Sequence, residues 1–301
     1  MSPERLVLAT RRSALALAQA RAFARDLEDL LPGLAVEELQ VVTTGDKVQN
    51  VPLAEVGGKG LFTKEIEEAL DRGDADFAVH SFKDVPSEIA AMFVIACVPL
   101  RADGRDVLIT KSGAKLADLE PGSRLGTSSM RRSVQVSLAR PDLVVVPLRG
   151  NVDTRLRKLD HGEIEAIMLA RAGLERLGLA SRITETIPSN VVIPAAGQGA
   201  LAIECRAADH ATREVLGKLT DVETEIAVAC ERSVMKSVGG DCNVPFGAHA
   251  WRRGNELVLL GFLAGPDGTH PRRVERVARW PDTPEEAAAL GREAAKTLLD
   301  S

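Results

Sequence analysis

The first two-thirds of the 301-residue chain alternates strand-like and helix-like segments, and no other feature constrains its fold as strongly. Leu6 to Ala9 is a short apolar run. Thr10-Arg-Arg-Ser13 follows it, and helical periodicity then continues to about Leu31. Val36 to Thr43 is the next strand, followed by the Gly-rich loop Val56-Gly-Gly-Lys-Gly60 and an amphipathic helix from Leu61 to Arg72. Asp76 to His80 and Phe93 to Val98 return as strands. Arg101-Ala-Asp-Gly-Arg-Asp106 reads as a crossing into a second unit, which holds strands at Leu143 to Val146 and Ile164 to Ala170 and a helix from Asn151. Pro188 to Gly199 reads as the crossing back, so that Leu201 to Glu204 rejoins the first sheet. This pattern implies an α/β fold of mostly parallel sheets with helices on both faces. Two crossings imply two similar doubly wound lobes around a cleft. From Asp221 the pattern changes to a long helix, Val222 to Val238, strands Ala248 to Arg252 and Glu256 to Ala264, and a helix from Pro284 to Leu299. The expected division is residues 1–100 with 200–218 as the first lobe, 105–195 as the second, and 221–301 as a small α+β domain.

Composition removes several classes of function. Hydrophobic residues at 45% and charged residues at 27% describe a globular chain, and a net charge of −5 gives no basic field for nucleic acid. Aromatic residues are only 3%, with no Tyr, so base-stacking platforms are not expected. The four cysteines have no CxxC spacing and no nearby His pair, which argues against a metal site and a disulfide framework. Reduced thiols in the cytoplasm are the simplest expectation. Arg11-Arg12-Ser-Ala-Leu-Ala-Leu-Ala-Gln-Ala20 resembles a twin-arginine export signal, but its apolar stretch is short and includes Gln19, so it reads as a folded helix. No stretch approaches a membrane span.

In open α/β sheets, ligands sit beyond the carboxyl ends of the strands. The polar residues at those positions here are Arg11, Arg12 and Ser13; then His80, Ser81, Lys83 and Asp84; then Thr127, Ser128, Ser129, Arg131 and Arg132; then Arg149, Gly150 and Asn151, with Arg155 one turn on. Within Gly126-Thr-Ser-Ser-Met-Arg-Arg132, hydroxyls suited to an N-cap precede a helix from Met130 to Ala139 that Pro141 stops. A helix start favours anions, and guanidinium forks match carboxylate or phosphate. The span 124–158 carries eight Lys/Arg against two Asp, as expected where a small polyanion binds, although a solvated basic helix face would have the same composition. Asp84 is a lone acid in this basic set. It suits a cationic intermediate or proton transfer, or else it simply forms the turn before Val85-Pro86 and pairs with Lys83. Cys97, Cys205 and Cys230 lie in apolar contexts and read as packed thiols. Cys242 sits in the loop Gly239-Gly-Asp-Cys-Asn-Val-Pro245, where a thiol can be presented to a ligand.

Several separate motifs, in order, resemble the hydroxymethylbilane synthases, also called porphobilinogen deaminases. They are Ala9-Thr-Arg-Arg-Ser-Ala-Leu-Ala-Leu17, Val56-Gly-Gly-Lys-Gly-Leu-Phe-Thr-Lys-Glu65, His80-Ser-Phe-Lys-Asp-Val-Pro86, Gly126 to Arg132, Leu148-Arg-Gly-Asn-Val152, Arg155-Leu-Arg-Lys-Leu159, Pro194-Ala-Ala-Gly-Gln-Gly-Ala200 and the Cys242 loop. The resemblance implies type II periplasmic-binding-protein-like lobes and a monomeric cytoplasmic transferase. It implies that four porphobilinogen units are joined head to tail with loss of ammonia. They are added to a dipyrromethane cofactor held by a thioether to Cys242, and the linear tetrapyrrole hydroxymethylbilane is then released by hydrolysis. It further implies that Arg11, Ser13, Lys83, Ser129, Arg131, Arg132, Arg149 and Arg155 bind the pyrrole carboxylates, with Thr127 and Ser128 donating from the helix start. Arg176 contacts incoming substrate, and Asp84 stabilises the cation left by ammonia and assists proton transfer. Lys59 covers the site and Phe62 stacks on a ring, with Ser81 and Gln198 as further site candidates. The chain departs from the family pattern at Glu55 and Asp241. Two rivals share the pattern: a non-catalytic solute-binding domain, which has no use for a reactive thiol, and a transferase or lyase acting on phosphate, whose P-loop the 57–60 loop fails to match.

Overall fold

The computed structural model describes residues 3–47, 63–240, 244–265 and 267–300. Strand β1 (Arg5–Arg11) leads into helix α1 (Ala14–Leu30), β2 (Ala35–Val41), the short α2 (Thr44–Lys47) and α3 (Lys64–Asp71). Then come β3 (Phe77–Ser81), a 3-10 turn at Phe82–Asp84, and β4 (Phe93–Cys97). β5 (Asp106–Thr110), β6 (Arg124–Gly126), α4 (Met130–Ala139), β7 (Val144–Val146), α5 (Val152–Asp160), β8 (Ala166–Ala170), α6 (Arg171–Arg176) and β9 (Glu185–Thr186) follow. The chain closes with β10 (Leu201–Arg206), α7 (His210–Gly217), α8 (Val222–Ser237), β11 (Phe246–Arg253), β12 (Glu256–Leu263), β13 (Arg272–Arg279) and α9 (Pro284–Asp300). Two compact units result, 1–102 with 200–225 and 103–199 with 226–301.

The first unit is one five-stranded sheet ordered β2-β1-β3-β10-β4. Successive residues of β1 point to opposite faces, and both faces are covered. Leu6 and Leu8 pack with Phe23 and Leu27 of α1 and Leu216 of α7. Val7 and Ala9 pack with Ile66 and Leu70 of α3 on the other side. The first strand is therefore apolar at nearly every position, as burial on two faces requires.

The second unit repeats this plan with a sheet ordered β7-β6-β8-β5-β9. Val136 of α4 packs with Leu108, Leu125 and Met168 on one face. Leu156 and Leu159 of α5 pack with Val107, Ile109, Ile167 and Leu169 on the other. Each sheet is more mixed than the alternation alone implies. The β1–β2, β1–β3, β6–β7 and β6–β8 ladders are parallel, whereas β10 pairs antiparallel with β3 and β4, and β5 antiparallel with β8 and β9. Strands joined through helices return to the same end and run parallel. β5 and β10 enter straight from the two crossings, with no helix to return the chain, and run the other way. Two doubly wound lobes of this shared order have the type II periplasmic-binding-protein-like fold.

The second unit also carries an antiparallel sheet, β11-β12-β13. On one face, Ala248, Ala250, Leu257 and Leu259 meet Ile226, Cys230 and Val234 of α8 and Ala294 and Leu298 of α9. Gly291 permits this close packing of helices, since a Cβ there would lie 2.3 Å from the Cys230 carbonyl oxygen. The opposite face sets Leu260 and Phe262 against Ile193 and Val134 of the second lobe. Among the described residues no helix is long and apolar enough to cross a membrane.

Candidate active site

The 126–132 segment is tied down on all sides. A Cβ at Gly126 would approach the side-chain tips of Ile164 and Leu148 to 2.8 and 2.9 Å, so a larger residue there would push both tips aside. The Thr127 N–H donates to the Val146 carbonyl at 3.0 Å, and its hydroxyl accepts from the Ser129 N–H at 3.2 Å. Ser128 is exposed and donates to the Leu148 carbonyl at 2.8 Å. Ser129 is the N-cap of α4, its hydroxyl accepting from the Arg132 N–H at 3.4 Å.

Beyond this cap both arginines turn into the lobe. Arg131 and Arg132 are each 6% exposed and converge on Asp106, which is 0% exposed. Arg131 Nη1 reaches Asp106 Oδ2 at 2.7 Å; Arg132 Nε and Nη2 reach Oδ1 at 2.9 and 2.7 Å. Burial alone would raise the Asp106 carboxyl, but the Arg131 and Arg132 charges, with hydrogen bonds from Arg131 and Gln198, hold it well below its ordinary range. Arg131 is lowered by burial, against the opposing pull of Asp106. Two guanidiniums against one carboxylate leave this buried trio net cationic.

More positive charge surrounds it. Asn151 caps α5, its side chain accepting from the Thr154 N–H at 2.9 Å, and Arg155 follows with Nε donating to the Gly150 carbonyl at 2.8 Å. Burial first, then the charges of Arg132 and Arg149, bring Arg155 down to about 10. Arg176, at the end of α6, donates to the Gly199 carbonyl at 2.6 Å, and burial brings it too down to about 10. β6, β7 and β8 run parallel, so the segments holding Thr127–Arg132, Arg149–Arg155 and Arg176 all follow the carboxyl edge of one sheet.

The first unit has a corresponding edge. β1 and β3 are parallel neighbours, so Arg11–Ser13 and Ser81–Asp84 emerge side by side. Ser13 caps α1, accepting from the Ala16 N–H at 3.3 Å. Ser81 and Gln19 exchange hydrogen bonds at 3.0 and 3.2 Å. The 82–84 turn is anchored by buried Phe82, whose N–H donates to the Ala200 carbonyl at 3.0 Å. That anchoring presents Lys83 half-buried and Asp84 exposed. Beneath the turn, His80 Nε2 lies 2.9 Å from Glu204 Oε2, both residues buried. Glu67 is raised by burial first and by the Glu204 charge second.

The linear pattern marks the cations of the second lobe but not Asp106, which falls in the 101–106 crossing. Its one legible signal is an acid opening the apolar run Val107 to Ile109. Lys59, Phe62 and Cys242, with Glu55 and Asp241, lie outside the described residues. The other thiols are buried, and burial pushes Cys97 and Cys205 up to about 11 and Cys230 up to about 12. Among the described residues no group of three His, Cys, Asp or Glu is placed to hold a metal.

A family model described as "Porphobilinogen deaminase, dipyromethane cofactor binding domain" matches residues 6–214, and one described as "Porphobilinogen deaminase, C-terminal domain" matches 225–300. A porphobilinogen deaminase of Sorangium cellulosum is 58% identical over 96% of this chain and 96% of its own. Another, from Syntrophotalea carbinolica, is 46% identical over 99% of this chain and 94% of its own. The BvgS VFT2 domain of Bordetella pertussis aligns over 72% of this chain and 86% of its own at 15% identity and a TM-score of 0.43, too distant to bear on the site. This chain belongs to the porphobilinogen deaminases, transferases of porphyrin biosynthesis that carry a dipyrromethane cofactor.

Proposed function

We propose that the chain joins four porphobilinogen molecules head to tail, releasing ammonia at each addition and finally the linear tetrapyrrole hydroxymethylbilane. The observation that carries this is the excess of buried positive charge at the start of α4, where Arg131 and Arg132 share the single carboxylate of Asp106. A buried cationic cluster is stabilised by an incoming anion. Each pyrrole of substrate and cofactor carries an acetate and a propionate, so this donor set fits both.

The dipyrromethane cofactor, attached through the Cys242 thiol, supplies the primer to which the first substrate is added. Arg11, Ser13 and Lys83 on the first sheet, and Arg131, Arg132, Arg149, Arg155 and Arg176 on the second, hold carboxylates. Thr127, Ser128 and Ser129 add hydroxyl and backbone contacts at the helix start. The exposed carboxylate of Asp84 accepts from pyrrole N–H groups and stabilises the positive charge that develops on the substrate as ammonia leaves. Ser81 and Gln198 keep neighbouring side chains in place, Lys59 covers the site and Phe62 stacks on a ring. The domain division at 1–100 with 200–218, 105–195 and 221–301 belongs to the same proposal, as do a monomeric state and a cytoplasmic setting. Free thiols at Cys97, Cys205 and Cys230 suit a reducing compartment.

The test is a product assay with porphobilinogen, following ammonia and tetrapyrrole together. One ammonia per porphobilinogen consumed, with a linear tetrapyrrole as product, is expected from the native chain and is nearly abolished in Asp84→Asn. Near-native turnover by Asp84→Asn would remove the role given to that carboxylate.

A further inference from the structure

Glu231 lies on α8, whose apolar face packs on the third sheet, yet it is 0% exposed and its carboxylate reaches out of that domain. One oxygen accepts from the Ala250 N–H of β11 at 2.7 Å, and the other from the Gly197 N–H at 2.7 Å. Gly197 belongs to the 193–199 segment, which closes the second lobe. The segment lies directly on β11: a Cβ at Gly247 would stand 2.7 Å from the Ile193 carbonyl oxygen, and the Ala248 N–H donates to the Pro194 carbonyl at 3.0 Å.

The same segment serves the guanidiniums on its other side. The Ile193 carbonyl accepts from Arg131 Nη1 at 2.7 Å, and the Gly199 carbonyl from Arg176 Nη2 at 2.6 Å. Between them Gln198, 1% exposed, donates to the Gly104 carbonyl at 2.7 Å and to Asp106 Oδ1 at 3.0 Å. Its carbonyl oxygen lies 3.4 Å from Arg132 Nη2. Gly197 and Gly199 hold φ of 73° and 90°, a backbone shape that glycine adopts freely and few other residues can.

We propose that Glu231 is a positioning residue for carboxylate binding. It clamps the 193–199 segment to the third sheet and thereby fixes Gln198, Asp106 and the guanidiniums of Arg131, Arg132 and Arg176. It touches no substrate, and it rests on the carboxylate-binding role assigned to those guanidiniums. A buried carboxylate that accepts two backbone N–H groups is intolerant of an amide, because the amide NH2 must face one of those donors.

The experiment is a double-variant cycle of Glu231→Gln and Gln198→Ala, reading KM and kcat for porphobilinogen on holoenzyme well below the unfolding midpoint of each variant. Glu231→Gln is expected to raise KM about 3- to 10-fold and leave kcat within about twofold, within the range of coupling between residues of one network. The double variant should then rise little beyond Gln198→Ala alone, because both changes loosen the same segment. If Gln198→Ala raises KM and Glu231→Gln does not, or if the two factors multiply, the clamp is overturned while carboxylate binding by the cluster stands. If neither variant moves KM, both fall. Should Glu231→Gln not fold, Glu231→Asp, which keeps the charge but shortens the arm, takes its place in the same cycle.

Discussion

Removing the carboxylate of Asp106 would leave Arg131 and Arg132 buried beside each other with no counter-charge. Asp106→Asn should therefore destabilise the fold by about 3–5 kcal/mol at neutral pH, measured by urea unfolding. The sign of its pH dependence follows from the lowered carboxyl. Stability due to Asp106 is fully present above its ordinary value of 3.8 and is lost as pH falls from there toward the lower folded value. The gap between native chain and variant should accordingly shrink by about 1.4 kcal/mol per pH unit below that point. A gap that stays constant, or grows, would show that Asp106 is not the ionised partner. The cations of this site were legible because charge composition is a property of the linear chain, with eight basic residues in one span. Their partner was not legible, because Arg131 and Asp106 are 25 residues apart and meet only because β5 and β6 both pair with β8.

Among the elements, α4 shows how far local chemistry reaches. A hydroxyl cap, an amphipathic run and Pro141 specify Met130–Ala139, and the structure has that helix with Ser129 as its cap. Ser129→Ala removes the bond to the Arg132 N–H and should cost about 1 kcal/mol, seen as a lowered urea midpoint with an unchanged slope. An unchanged midpoint would mean that the hydroxyl is not used as a cap. Elements without such signals were harder to read. β6 has three residues and β9 two, too few to show a period. β13 reads Arg-Arg-Val-Glu-Arg-Val-Ala-Arg because it is an edge strand largely open to water, so only Val274 is buried and the apolar alternation is lost. The directions of β5 and β10 depend on how the chain enters each sheet, which no residue in those strands encodes.

On the scale of the whole molecule, one sheet plan is used twice. Each lobe takes its fourth strand from a crossing; the first lobe is completed only by β10 after the second crossing, whereas the second lobe runs unbroken through 103–199. The crossings were visible as breaks in composition, and the third sheet as a change of period near Asp221. Beside the Glu231 and Ala248 hydrogen bonds, the third sheet meets the second lobe through Phe262 and Leu260 against Ile193, a contact between segments about 70 residues apart and silent in the linear pattern. The two carboxyl edges carry different chemistry, an exposed acid at Asp84 on one and the buried Arg131 and Arg132 beside α4 on the other.

The most direct test of that function is intact-protein mass spectrometry with peptide mapping around Cys242, before and after incubation with porphobilinogen. The expected result is an added mass equal to two linked pyrroles on the Cys242 thiol, growing by whole pyrrole increments when substrate is supplied. A Cys242 that stays unmodified after that incubation, or an adduct mapped to a different residue, would contradict it.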